Sequence, residues 1–282
     1  MSRVHRIGII GTGNIGTSHA EALAREVSGA LVSVVYDTDL DRARVVAARL
    51  GARTATDGLA LIESADVDAV VIASPDESHA EQALQCLKAG KPALVEKPLA
   101  PSLADAHKVV AAEVALGQRL LTLGFMRRFD LGYQQIKQQL DSQAVGEPLI
   151  VRNLHRNASA PYGLLTSRTM TNMAIHEIDI NRWLTSDEYE SVQVLAPRPG
   201  PHTPEGQLDP VLILFRTTRG VIVEIEAFVN STYGYEVSCS VVATEGLLDM
   251  GDGGFITRTR SRERRQDIPE LWLGRFADAY RR

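Results

Sequence analysis

Ten residues near the N-terminus, Ile7-Gly8-Ile9-Ile10-Gly11-Thr12-Gly13-Asn14-Ile15-Gly16, constrain this chain most, together with Asp37, 21 positions after Gly16. They read as a strand, a G-x-G-x-x-G turn, the start of a helix and a spaced acid. Gly11 permits a tight turn, Gly13 lets backbone approach a pyrophosphate, and Gly16 lets the helix pack closely on the strand. The N–H groups at the helix start, from Gly13 through Asn14, Ile15 and Gly16, offer a site for that pyrophosphate. The flanking sequence supports this reading. Val4 to Ile10 reads as a buried parallel strand. Ile15, Ala22, Leu23 and Val27 recur near helical spacing. Leu31 to Tyr36 is a second strand with Asp37 at its end. A carboxylate there accepts the ribose hydroxyls and repels a 2′-phosphate, so the pattern favours NAD over NADP. Arg42 is near enough to blur that preference but is expected to face solvent on the next helix.

The first 124 residues alternate strand and helix. Asp39 caps a helix to Leu50, Val67 to Ala73 is a strand, and Ser78 to Ala89 is a helix closed by Gly90. Ala93 to Val95, Ser102 to Leu116 and Leu120 to Leu123 continue the pattern. Repeated βα units force parallel strands with right-handed crossovers, so residues 1–124 are an α/β domain, a doubly wound sheet of the Rossmann type. The pattern changes after Gly124. Tyr133 to Leu140 reads as a helix, Leu149 to His155 as a strand and Thr171 to Leu184 as a helix. Strands follow at Val192–Leu195, Val211–Arg216, Val221–Val229 and Val237–Ala243, with Pro197 to Pro210 as a surface loop. Residues 125–282 are therefore expected to form an α+β domain with a large, mostly antiparallel open sheet. A helical pattern begun at Leu271 is still running at Arg282, which predicts a truncated C-terminal helix.

With 282 residues, 44% of them hydrophobic and 23% charged, the chain has the makeup of a two-domain globular protein. A net charge of −5 predicts no general attraction to nucleic acid or anionic membrane. No apolar run spans a bilayer, and a strand begins too early to leave room for a signal peptide. Cys86 and Cys239 lack metal-site spacing and suit a reducing cytoplasm. The basic run Arg258 to Arg265 reads as a solvated loop or a subunit contact.

Glu96-Lys97-Pro98 follows the Ala93 strand, at the edge where open α/β sheets bind ligands. A partly desolvated Lys97 there can donate to a substrate oxygen, and a cis bond before Pro98 is compatible with the turn. Ser74, Pro75 and His79 end the preceding strand and are expected to line the nicotinamide side of the cleft, His79 mainly by packing or capping. In the second half, Asn172, His176 and Asp179 stand at helical spacings of four and three, which puts them on one side of a continuous helix. A histidine flanked by a carboxylate and an amide suits general base catalysis. A zinc site of the H-E-x-x-H kind is excluded, because Ile180 stands where the second histidine belongs. Asp249 to Gly254 is a hairpin turn rather than a calcium loop.

Taken together, these residues resemble the glucose–fructose oxidoreductase and inositol dehydrogenase family over nearly the whole chain. The likeness is carried by Gly11 to Gly16, Glu96-Lys97-Pro98, and His176-Glu177-Ile178-Asp179 followed by Arg182-Trp183-Leu184. Gly124-Phe125-Met126-Arg127-Arg128-Phe129-Asp130, His155-Arg156-Asn157 and Tyr233-Gly234-Tyr235-Glu236-Val237 resemble the inositol branch. The resemblance implies NAD-dependent oxidation of an inositol hydroxyl to a ketone, in a homotetramer built by packing the open sheets. It gives Lys97 the reacting hydroxyl to polarise and His176 its proton to take. It places Met126, Arg127, His155, Asn157, Asp179 and Tyr235 in a polyol pocket, with Glu96 beside the cofactor. Asn172 departs from the family, which often has aspartate there; an amide can orient the imidazole but carries no charge. That leaves another sugar or cyclitol as an alternative substrate, and a non-catalytic dinucleotide-binding regulator as the reading from a different class.

Overall fold

The computed structural model describes residues 4–157, 166–232, 234–250, 256–260 and 263–267. These fall into two compact units, one up to Gly124 and one from Phe125 onward.

The first unit is built on six strands: β1 His5–Ile10, β2 Ala30–Tyr36, β3 Arg53–Thr54, β4 Ala69–Ile72, β5 Ala93–Val95 and β6 Leu121–Leu123. All pair in parallel, in the order β3-β2-β1-β4-β5-β6. The order reverses direction between β1 and β4, and the carboxyl ends there form the ligand-binding edge of a doubly wound sheet. Helices α1 Asn14–Arg25, α2 Leu40–Leu50, α3 Gly58–Glu63, α4 Asp76–Lys88 and α5 Leu103–Leu116 connect the strands. Local chemistry sets their ends. The Asp39 carboxylate accepts the Arg42 N–H at 3.1 Å to start α2, and Gly51 ends it at φ 68°. Ser102 accepts from Asp105 N at 3.0 Å to start α5. Ile9, Ile10, Val35, Ile72 and Val95 fill the interior. The short α3 and the two-residue β3 are absent from the sequence reading. A six-residue helix opening on glycine carries little propensity. It forms because Asp57 caps it at 2.7 Å to Ala60 N and because Leu61 and Ile62 are buried.

The second unit contains α6 Leu131–Asp141, β7 Pro148–Arg156, α7 Thr166–Arg168, α8 Ile175–Thr185, and β8 Tyr189–Leu195. There follow β9 Val211–Thr217, β10 Ile222–Phe228, β11 Glu236–Ala243, β12 Gly246–Met250, β13 Ile256–Arg260 and β14 Glu263–Asp267. Its eight strands run in the order β14-β13-β12-β11-β7-β10-β9-β8. The β7–β10 pair is parallel and the other pairs are antiparallel. One face alternates into a core of Val151, Ile213, Val223, Ile225, Val241 and Leu248, packed with Tyr133 and Ile136 of α6 and Ile180 and Leu184 of α8.

Three expectations change. The basic run from Arg258 is not a loop; it enters an antiparallel strand pair in which Arg258 stands opposite Arg265. The Ile-Thr-Arg-Thr-Arg alternation at 256–260 is a period-two strand signal that the density of charge obscured. The Thr171–Leu184 segment is not one α-helix, because a π-helical turn spans Thr169–Ala174 and α8 starts at Ile175. The Pro197–Pro210 loop is exposed over most of its length but buried at its end, at Gln207 and Asp209. The helix expected from Leu271 and residues 251–254 of the expected hairpin lie outside the described residues. No helix among the described residues is long and apolar enough to cross a membrane.

Asp209 shows how that loop is fixed. Its carboxylate accepts from Val229 N at 2.9 Å, Asn230 N at 3.1 Å and Asn230 Nδ2 at 2.7 Å. Replacing it leaves buried donors unsatisfied, so Asp209→Ala is expected to cost about 1–3 kcal/mol in urea unfolding; a change within about 0.5 kcal/mol, the range of ordinary surface substitutions, would contradict this role.

Candidate active site

The turn between β1 and α1 is shaped by what cannot fit there. Gly11 has φ +90°, and an added Cβ would lie 2.5 Å from the Ala73 carbonyl carbon and 2.7 Å from Ser74 N. A Cβ on Gly16 would lie 2.9 Å from the Gly11 carbonyl carbon and nearer still to its oxygen. These two glycines let turn, helix and the end of β4 close on one another. Gly13 differs, since a Cβ there meets nothing within 4 Å. It is the N-cap of α1, and no side chain caps that first turn. Asn14 and Ile15 are exposed beside it. Open space beside the helix-start N–H groups fits a dinucleotide pyrophosphate.

Asp37 stands at the end of β2, 5% exposed, and accepts from Thr12 N at 2.6 Å, Thr12 Oγ1 at 3.0 Å and Asp39 N at 2.9 Å. Arg42 is not simply a solvent-facing side chain. Its Nη2 lies 2.7 Å from Asp37 Oδ1 and its Nε 3.3 Å from Oδ2. Burial pushes the Asp37 carboxyl upward, but the Arg42 guanidinium and the backbone N–H donors outweigh it and hold the group at about 2. Asp37 is thus a fixed anion.

Around Lys97 the ends of β4 and β5 are tied together. The Lys97–Pro98 bond is cis. His79, almost fully buried, sets Nδ1 2.7 Å from the Pro98 carbonyl and Nε2 2.8 Å from the Ser74 carbonyl. Each ring nitrogen faces a backbone carbonyl, which accepts, and the tautomer decides which of the two receives the N–H, so His79 stands between the two loops. Ser74 Oγ donates to Gln82 at 2.7 Å, and Pro75 caps α4. Glu96 lies 2.8 Å from His19 Nε2 of α1 and accepts the Lys97 N–H at 3.3 Å. Burial lowers the Lys97 ammonium below its ordinary value, opposed by the nearby Glu96 and Asp76 carboxylates. A partly desolvated ammonium at a strand's carboxyl end is a good hydrogen-bond donor to an oxygen that gains negative charge.

In the second unit, the 3-10 turn Met126–Phe129, β7 and α8 bring Arg127, His155, His176 and Glu177 together. Glu177 is fully buried and forms an ion pair with Arg127, itself 4% exposed. His155 Nδ1 lies 3.0 Å from Arg127 Nη2 and 3.1 Å from Glu177 Oε2, so its tautomer decides whether it accepts from the first or donates to the second. The His155 ring lies 6.3 Å from His176 and 6.4 Å, edge-on, from Tyr235, whose side chain is exposed. Asp179 binds Arg128 in a fork, at 2.8 Å to Nε and 2.5 Å to Nη2. Asn172 sits on the π turn, where the four-residue spacing to His176 does not carry the helical phase expected for it. Its side-chain oxygen accepts from Thr171 Oγ1 at 3.1 Å. Met126 is half-buried in its turn. Asn157 follows β7, its backbone bonded to Phe228 and Ser231. Tyr233 lies outside the described residues.

Glu177, Arg128 and the Arg42 clasp escaped the sequence reading. Glu177 had a signal, since a carboxylate between Ile175, Ile178 and Ile180 on a core helix demands a buried cation. Which arginine supplies it is a tertiary fact. Cys86 and Cys239 are buried free thiols, each pushed up by burial to about 12 and so inert as nucleophiles.

Comparison with known proteins identifies the family. Residues 5–125 match the oxidoreductase family with an NAD-binding Rossmann fold, GFO/IDH/MocA, and residues 133–249 match the GFO/IDH/MocA C-terminal domain. The chain is 42% identical over 275 residues to inositol 2-dehydrogenase 3 of Saccharopolyspora erythraea, covering 98% of this chain and 81% of that protein. It is 41% identical to an inositol 2-dehydrogenase/D-chiro-inositol 3-dehydrogenase of Shouchella clausii, covering 98% and 80%. The crystal structure of myo-inositol dehydrogenase from Lactobacillus casei, in complex with NAD(H) and myo-inositol, superposes with a TM-score of 0.86 at 33% identity. That superposition covers 98% of this chain and 83% of the other.

The buried ion pair gives a direct test of the second unit. Glu177→Ala leaves Arg127 buried without its counter-ion and should cost about 3–5 kcal/mol in urea unfolding, whereas Arg127→Met with Glu177→Leu should recover most of it. A single-variant loss below about 1 kcal/mol would mean that the pair is solvated.

Proposed function

The chain belongs to the GFO/IDH/MocA family of oxidoreductases, and on that premise we propose that it oxidises a ring hydroxyl of a cyclic polyol with NAD, converting myo-inositol to the 2-ketone, scyllo-inosose. The observation that carries this reading is the identity of 41–42%, across nearly the whole chain, to relatives named inositol 2-dehydrogenase. NAD binds along Gly11 to Gly16, with Asp37 on the adenosine ribose and Ser74 and Pro75 along the nicotinamide side. It supplies the hydride acceptor. His79 and Glu96 act one step back, by tying the loops that carry Ser74 and Lys97.

Lys97 donates a hydrogen bond to the reacting hydroxyl and stabilises the developing alkoxide. His176 accepts the hydroxyl proton. Asn172 orients substrate or imidazole by hydrogen bonding. Asp179 is committed to Arg128, so it shapes the pocket wall through that fork. Arg127 and His155, held by Glu177, present a rigid polar floor, and Met126, Asn157 and Tyr235 complete the polyol contacts.

The uncharged Asn172 favours a second reading of the same chemistry, with another cyclitol or a sugar as substrate. We place the reaction in the reducing cytoplasm, in keeping with two free thiols. We further propose a homotetramer joined through the open face of the eight-stranded sheet. That face carries partly exposed Leu154, Leu212, Leu214 and Phe228 beside the Arg156–Glu226 and Arg156–Glu236 pairs.

The test is NADH formation from NAD⁺ with a panel of inositols and sugars. Activity highest with myo-inositol is expected; activity with a sugar alone favours the second reading. Lys97→Ala should lower kcat by about 100–1000-fold, the loss seen when one oxyanion donor is removed, while NAD⁺ affinity stays within a few-fold. Undiminished turnover in that variant would contradict the role of Lys97.

A further inference from the structure

We propose that Arg42 is a specificity-determining residue of the nucleotide site, one that opposes NAD and admits the 2′-phosphate of NADP beside Asp37. The inference rests on the reading of the first unit as a dinucleotide site and concerns which dinucleotide it takes.

Asp37 Oδ1 accepts from Asp39 N at 2.9 Å and Arg42 Nη2 at 2.7 Å, and from Thr38 Oγ1 at a long 3.5 Å. Oδ2 accepts from Thr12 N at 2.6 Å, Thr12 Oγ1 at 3.0 Å and Arg42 Nε at 3.3 Å. A carboxylate has about four acceptor sites, and six donors already compete for them, the long ones from Arg42 Nε and Thr38 Oγ1 included. A ribose diol that donates to Asp37 must therefore displace a donor. Thr12 is 1% exposed and built into the turn, and the Asp39 donor is backbone. The long Thr38 hydroxyl contact can turn away, and among the charged donors Arg42 can leave, since its side chain is 48% exposed and pivots from the first turn of α2. NAD binding thus competes with the Arg42 clasp.

The displaced guanidinium remains five residues from Asp37 on the same strand–helix connection. It is permanently charged and pairs with phosphate through two parallel N–H bonds. A 2′-phosphate next to Asp37 alone meets repulsion. Next to Arg42 as well, it meets a counter-ion, and the net local charge of the pair is zero. The same side chain therefore works against one dinucleotide and for the other.

Titration calorimetry of the full chain with NAD⁺ and with NADP⁺ reads this directly. Wild type should bind both, NAD⁺ more tightly. Arg42→Ala should weaken NADP⁺ by on the order of tenfold, the loss of a charge-assisted pair, and tighten NAD⁺ about two- to fivefold, the release of an exposed one. Adenosine 2′,5′-bisphosphate against AMP should repeat the contrast and so locate it at the ribose. A variant that changes both affinities by the same factor, or that leaves NADP⁺ untouched, overturns the proposal, as does a wild-type chain that binds NAD⁺ but not NADP⁺. Failure of wild type to bind NAD⁺ at all would instead overturn the dinucleotide site itself.

Discussion

No side chain can stand at Gly11 or at Gly16, and much of the first unit follows from that exclusion. A Cβ at either position would drive into backbone: at Gly11 into Ala73 and Ser74, at Gly16 into the Gly11 carbonyl. Backbone cannot swing aside as a side chain can. With both positions bare, α1 starts directly above the carboxyl ends of β1 and β4. That sets Asp37 against Thr12, puts His19 of α1 within reach of Glu96, and orders the loop that carries Lys97. A close steric fit thereby becomes an electrostatic arrangement, with an anion at the end of β2 and a desolvated ammonium beyond β5.

The second unit achieves the same rigidity by a different means. Its polar residues are held by buried charge pairing instead of backbone contact. Glu177 and Arg127 neutralise each other beneath His155, and the His155 ring lies beside that of His176. Burial of this kind is costly and gives little net stability. What it supplies is orientation, because each member is fixed by the next. The π turn before α8 fits that picture, since irregular helix geometry often accompanies sites where side-chain direction matters more than helical stability.

Sequence and structure agree where local signals are strong and diverge where tertiary contact decides. Strand alternation, the Asp39 cap and the glycine turn are local, and the doubly wound half was legible from them. The short α3 was hidden because Gly58 opens it and only the burial of Leu61 and Ile62 stabilises it. The last strands were hidden because arginine density resembled a solvated loop. The proposed site divides in the same way. Glycines, Lys97 and His176 could be named from motif and position. The partners of Asp37, Glu177 and Asp179 could not, because Arg42, Arg127 and Arg128 are equivalent in composition until the fold pairs each one.

Open ground above Gly13 is where we propose that a dinucleotide pyrophosphate sits. Gly13→Val tests it most directly, because a Cβ there touches nothing within 4 Å and the extended backbone, φ −67° and ψ −168°, accepts a branched side chain. Thermal unfolding and NAD⁺ calorimetry should be run together on that variant. A melting temperature within a few degrees of wild type is expected, because valine is a poorer N-cap than glycine, with NAD⁺ affinity lost, since the isopropyl group fills the space the pyrophosphate needs. Equal affinity in a folded Gly13→Val protein would contradict it.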